Sequence, residues 1–201
     1  MNKNEIINQT RNAFDFIQKL YFETSYLIKE VEGIFAEEEE EFVIGKGGGY
    51  AITARSSNGL EANNVSLWPL RMFSVYFIPK QYTKIKGGVT VTVLSSDLRV
   101  IHLRVILDEK EILEPYITMS VLYDFAKLSE RDYPSKLEQV NTIIEYNYSK
   151  VSKDTEVIDY ADSYCSFKGK SFKVNLFDIN SSEEIRKLIT DPVLEIYREE
   201  N

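Results

Sequence analysis

Near residue 42 the hydrophobic period of this chain changes from 3.6 to two, and that change decides the fold class. Upstream, EIINQTRNAFDFIQKLYFETSYLIKEVEG (residues 5–33) places Ile6, Ala13, Ile17, Leu20, Leu27 and Val31 at alternating steps of three and four. Thr10 and Thr24 fill two further positions of that seam. A second rail, Ile7, Phe14, Tyr21, Ile28 and Phe35, steps by seven. Together the rails give one broad apolar face on a helix of about 28 residues that ends near Gly33. At 1.5 Å per residue such a helix spans about 42 Å. It either lies along a sheet or projects in part toward another chain.

Downstream, the period of two runs through FVIG (42–45), YAITA (50–54), RMFSVYFI (71–78), VTVTVL (89–94), LRVIHLRVIL (98–107) and YITMSVLYDF (116–125). The turn signals GKGG, SNG, PKQ and SSD separate several of them. The close pairs 42–45 with 50–54, and 89–94 with 98–107, predict antiparallel hairpins. Crossover helices are missing between the central strands, which argues against a doubly wound nucleotide-binding sheet. Strand 71–78 is apolar on both faces, so a cover is expected on each side, one being the N-terminal helix.

Leu137, Val140 and Ile144 share one face of a short helix in PSKLEQVNTIIEYNYSK. EVIDYADSYCSF (156–167) and SFKVNLFDI (171–179) read as a hairpin joined by KGK. Ser181 with Glu184 forms a capping-box pattern, and Asp191 before Pro192 reads as a second helix start. The expected architecture is one α+β domain over residues 1–201, a long N-terminal helix packed on a mainly antiparallel sheet, with short C-terminal helices. Its parts are a helix over 5–33, a sheet over 42–125, a helix over 135–149, a hairpin over 156–179 and terminal helices over 182–199.

Composition bounds the function classes. With 43% hydrophobic residues, 11 Phe and 13 Tyr in 201 residues, the chain has ample material for a core. No apolar run reaches the roughly 20 residues of a bilayer span, and MNKNEIINQTRNAF lacks a secretory pattern. No membrane role is expected. The single Cys165 rules out an internal disulfide framework and a Cys-rich zinc site, and a small buried thiol in a cytoplasmic protein is the expected reading. The net charge of −8, with basic residues dispersed, disfavours long-range attraction to nucleic acid but leaves a local basic groove open.

FAEEEEEFVIGKGGGYAITARSSNG (35–59) looks most like a motif, yet it fails both phosphate-loop patterns. In GKGGG, Lys46 follows the first glycine and no Ser or Thr comes after it, while Tyr50 occupies the last glycine position of GxGxxG. The spacing suits a hairpin. Glu37–Glu41 would alternate in direction on an extended chain, so a solvated acidic connector is expected, not a cation site. Asp97 and Asp108-x-Lys110 crudely match the metal-binding spacing of restriction-like nucleases, but one uninterrupted strand between them would hold the two Asp residues about 35 Å apart.

A ligand surface is more promising on LRVIHLRVIL, where Leu98, Val100, His102, Arg104 and Ile106 face one way. His102 and Arg104, with Thr90 or Thr92 on a neighbouring strand, are the candidate ligand-binding residues for a small anion. No cofactor or metal is expected. Asp159 and Asp162 fall on opposite faces of a regular strand, and converge only across a bulge. The functional expectation is a non-catalytic interaction or regulatory domain that senses a small anion on its sheet. Its alternatives are a metal-dependent hydrolase or nuclease seeded by Asp97, Asp108 and Lys110, and a structural dimerisation subunit. Self-association as a homodimer is expected from the length of the helix, and another protein partner stays open.

Overall fold

The computed structural model describes residues 2–44, 72–86, 89–92, 94–107, 114–128 and 157–199. Helix α1 (Lys3–Ala36) begins at a capping box in which Asn2 Oδ1 accepts from the Glu5 N–H and the Glu5 carboxylate accepts from the Asn2 N–H. It runs past Gly33 because Ile34 and Phe35 still have core to enter. Glycine in a helix costs only about 1 kcal/mol relative to alanine, less than burying those two side chains returns.

The main sheet has six strands in the order β1-β2-β5-β6-β8-β7, every neighbouring pair antiparallel. These are β1 (Phe42–Ile44), β2 (Met72–Pro79), β5 (Val100–Ile106), β6 (Tyr116–Lys127), β7 (Val157–Ala161) and β8 (Cys165–Asn175). β3 (Thr83–Lys86) and β4 (Val89–Thr92) pair only with each other, as a separate two-stranded ribbon. The expected hairpin of 89–94 with 98–107 therefore does not form. β4 turns back on Thr83–Lys86, a strand hidden behind the PKQ turn signal, and β5 is left to lie between β2 and β6.

Alternation along the strands gives the sheet two different faces. On the first, Val75, Phe77, Ile101, Leu103, Val105, Ile117, Met119 and Val121 join the C-terminal third of α1 in one buried cluster. The Phe35 ring meets Phe77 edge-on at 4.8 Å, and Phe42 meets Tyr197 at 5.0 Å. Ile185, Ile189, Val193 and Leu194 of the C-terminal helices complete the cluster. On the second face, Ile78, Leu98, Val100, Leu122, Phe125, Ile158, Cys165 and Phe167 form another buried cluster.

The C-terminal helices are one continuous piece: α2 (Ser182–Ile185), a π-helical turn (Arg186–Thr190) and α3 (Asp191–Arg198). Ser181 caps the start by accepting from the Glu184 N–H at 3.2 Å. Asp191 is not a second cap. It is itself helical, and its N–H bonds back to the Arg186 carbonyl in the wide i→i−5 pattern. Pro192 brings no N–H and would crowd the carbonyl of residue 188 in a regular helix, so the turn before it widens.

Hairpin β7–β8 also turns elsewhere than expected. The reversal falls at Asp162–Tyr164, where Asp162 Oδ1 accepts from the N–H groups of Tyr164 and Cys165 at 2.7 and 2.8 Å. Lys168-Gly169-Lys170 runs straight through β8, paired to β6 and β7. Gly169 is needed for proximity: a Cβ there would sit 2.6 Å from the Val121 carbonyl oxygen and 2.9 Å from a Leu122 methyl. Lower on the same pair, β6 carries a bulge between Tyr123 and Ala126, with Asp124 in the left-handed region (φ 55°).

The expected helix over 135–149, the strand over 50–54 and the glycine run all lie outside the described residues. Among the described residues no helix is long and apolar enough to cross a membrane.

Candidate functional site

The second sheet face is interrupted by two polar rows. In one, Ser74 on β2 pairs with Arg104 on β5, Arg104 with Thr118 on β6, and Thr118 with Lys173 on β8. In the next, Tyr76 pairs with His102, His102 with Ser120, and Ser120 with Ser171. Directly paired residues of an antiparallel sheet point to the same side, with Cβ atoms about 5 Å apart, so these side chains form a compact grid. Apolar rows bound it at both ends: Met72, Ile106 and Tyr116 on one side, Val100 and Leu122 on the other.

The grid is buried. Arg104 is 1% exposed and His102 3%, and Ser74, Thr118, Ser120 and Ser171 are buried as well. Arg104 Nη2 lies 2.7 Å from Met72 Sδ, and Lys173 Nζ lies 3.8 Å from the centre of the Tyr116 ring. The His102 ring stacks on Tyr76 at 4.5 Å and 19°. Burial first, then the charge of Arg104, pushes the His102 pKa down to about 3, so the imidazole is neutral in ordinary buffers. His102 Nε2, Ser74 Oγ and Ser120 Oγ have no hydrogen-bond partner among the described residues. Ser120 and His102 are therefore register neighbours that do not bond to each other, and they make no nucleophile–base pair.

Of the residues expected to form a ligand surface, the fold brings His102 and Arg104 together on one face. The pairing does not add the threonines: Thr90 pairs with Ile85 and Thr92 with Thr83, in the separate ribbon. Thr92 is fully buried, and its Oγ1 has no hydrogen-bond partner among the described residues. The places expected for the threonines beside β5 are filled by Ser74, Thr118 and Ser120. Ser74 interrupts the apolar run of RMFSVYFI, and Thr118 and Ser120 interrupt that of YITMSVLYDF. That small signal is visible in the sequence, but only the pairing register shows that the hydroxyls converge.

Asp97 sits in an exposed turn, accepting from Ser95 Oγ at 2.6 Å, a bond that holds its carboxyl below the usual range. Asp108 and Lys110 lie outside the described residues, and among those described no group of three or more His, Cys, Asp and Glu could hold a metal ion. Cys165 is buried in the second cluster, its thiol pushed up to about 11 by burial and by Asp162. Asp159 and Asp162 fall on opposite sides of the β7 end, one on the strand and the other making the turn.

The glutamate run is a clasp more than a solvated connector. Glu38 and Glu40 meet Arg198 at 2.6 and 3.6 Å, Glu37 meets Arg186 at 3.9 Å, and Glu41 meets Lys80 at 2.5 Å. These basic groups offset the unfavourable placement of carboxylates at the negative end of α1.

No family model matches the chain, and comparison with curated proteins and with solved structures gives no match.

Proposed function

We propose that the protein is a non-catalytic interaction domain that pairs with a second copy of itself through the free length of α1. One observation carries the reading: residues 3–23 contain no buried side chain, whereas Thr24, Leu27, Ile28, Val31, Ile34 and Phe35 of the same helix are buried. At 34 residues α1 is about 51 Å long, against a sheet of six strands about 24 Å wide. The sheet is used up before the helix is.

The apolar rails do not stop where the sheet does. Ile28 and Phe35 end in the core, while Ile7 and Phe14, earlier on the same rail, are exposed, Phe14 by 65%. Ile6 of the first seam and Phe16 beside it are exposed as well. Burying a side chain of this size gains roughly 1.5–3 kcal/mol, so a stripe of them is a strong drive to associate. A second copy fits in charge as well as in shape. Lys3, Arg11 and Lys19 balance Glu5, Asp15 and Glu23 within residues 3–23, although the whole chain carries −8. Pairing at this segment is thus free of the repulsion that the rest of the surface would impose. A twofold axis lets one stripe serve both partners.

Sedimentation across micromolar concentrations is expected to show a monomer–dimer equilibrium. Phe14→Asp is expected to shift it to monomer while leaving the sheet folded, because Phe14 contributes nothing to the core. A monomer at every concentration, or a dimer that Phe14→Asp leaves intact, overturns the reading.

A further inference from the structure

We propose that Ser74, His102, Arg104 and Ser120 form an internal binding site for a small oxyanion, a carboxylate or a phosphate, on the second face of the sheet. Three observations carry it, independently of the pairing of α1. The first is placement: the four residues occupy adjacent positions on three neighbouring strands, in two pairing rows, within a patch about 10 Å wide. The second is the orphaned atoms. His102 Nε2, Ser74 Oγ and Ser120 Oγ are more than nine-tenths buried and lack a partner among the described residues. A buried polar group without a hydrogen bond costs about 1–3 kcal/mol, and three such atoms side by side are a cost that a shared ligand would remove at once.

The third is charge. Arg104 sets a permanent positive group beside the three atoms, and the neutral imidazole can present Nε2–H without adding a second positive charge. Two hydroxyls, an imidazole N–H and a guanidinium are all able to donate, so the matching ligand is an acceptor bearing negative charge. A cation is repelled, and an apolar guest would leave the His102, Ser74 and Ser120 atoms unmet. The apolar rows at Met72, Ile106 and Tyr116 and at Val100 and Leu122 border the site on two sides. They also lower the local dielectric, which strengthens each bond to the anion.

The protein has a single histidine, so imidazole nitrogen resonances report on this site alone. The 201-residue chain labelled with ¹⁵N at histidine is titrated with sodium phosphate and, separately, with sodium acetate, with sodium chloride at matched ionic strength as control. A saturable shift of the Nε2 resonance with phosphate or acetate, absent with chloride, is the expected result, and the anion that produces it identifies the ligand class. Affinity is expected to fall about tenfold or more in Ser120→Ala and in Ser74→Ala, the loss that follows removal of a hydrogen bond to a charged group. These two substitutions only shorten the side chain and keep the test open if Arg104→Met fails to fold. A resonance that neither anion moves at millimolar concentration overturns the proposal. So does a shift that chloride reproduces, or one that survives undiminished in the Ser74→Ala, Ser120→Ala double variant.

Discussion

Arg99 and Arg104 stand five residues apart on one stretch of chain and face opposite sides of the sheet. Arg99 holds structure together. Its Nη1 and Nη2 donate to the carbonyls of Glu199 and Ile196 at 2.7 and 2.9 Å, closing the C-terminal end of α3. Its guanidinium also lies between the rings of Tyr123 and Tyr197, at 5.5 and 5.4 Å. Arg104 has no helix end to close, and it shares its side of the sheet with His102. The consequence for His102 is a pH dependence of defined sign. Its folded pKa of about 3 lies below the ordinary value of 6.5, so the unfolded chain takes up a proton that the folded chain refuses. The stability contributed by the neutral imidazole is fully present above pH 6.5 and is lost as pH falls toward 3. The loss is up to about 1.4 kcal/mol per pH unit. Denaturant titrations of wild type and His102→Gln at a series of pH values are expected to converge as pH falls below 6.5, the variant lacking this part of the slope. Parallel curves would show that His102 takes up its proton as readily in the folded chain as in the unfolded one.

At the scale of elements, β8 is held against β6 by the missing side chain of Gly169. Gly169→Ala is expected to destabilise by about 1–3 kcal/mol, since the nearest atom is the Val121 backbone oxygen, which cannot turn aside. Chemical denaturation checks this, and an unchanged midpoint would mean that the two strands can part locally without loss. This glycine also shows what a sequence withholds. In KGK, glycine reads equally as a turn or as a place of close approach, and the choice depends on β6, more than forty residues earlier in the chain. The rails of α1 and the alternation in β2, β5 and β6 are legible because a helix or strand repeats its own geometry. Strand partners are not: with Thr83–Lys86 hidden behind the PKQ turn signal, proximity along the chain assigns β4 to β5 when it joins β3. The same limit governs the candidate site. His102 and Arg104 can be placed on one face from their spacing, whereas Ser74 and Ser120 enter only through the register.

In the whole molecule, α1 is rooted and free by turns. Its foot is gripped by the Phe35, Phe42 and Phe77 rings and by the glutamate clasp to Arg186, Arg198 and Lys80. The clasp is exposed, and each of its ion pairs is worth little alone, so the rings do most of the holding. The division falls near Thr24, whose hydroxyl donates to the Leu20 carbonyl at 2.8 Å. Leu20 still packs against the core, but from Phe16 back to Asn2 every residue is exposed, so this stretch depends on its own backbone bonds and on the Asn2–Glu5 cap, and a lone helix of roughly 15 residues is marginal in water. Amide hydrogen exchange is expected to register this as a step in time along a single helix. In dilute protein, amides in residues 6–20 should exchange with little protection, while those of 27–36 should wait for the opening of the core. Raising the concentration should slow the first group and leave the second unchanged, because pairing would order what the sheet does not reach. Equal protection on both sides of Thr24 in dilute protein would show that the first half is already held. What is one helix in space would on this account be two segments by the clock, the earlier of them completing its fold when a partner arrives.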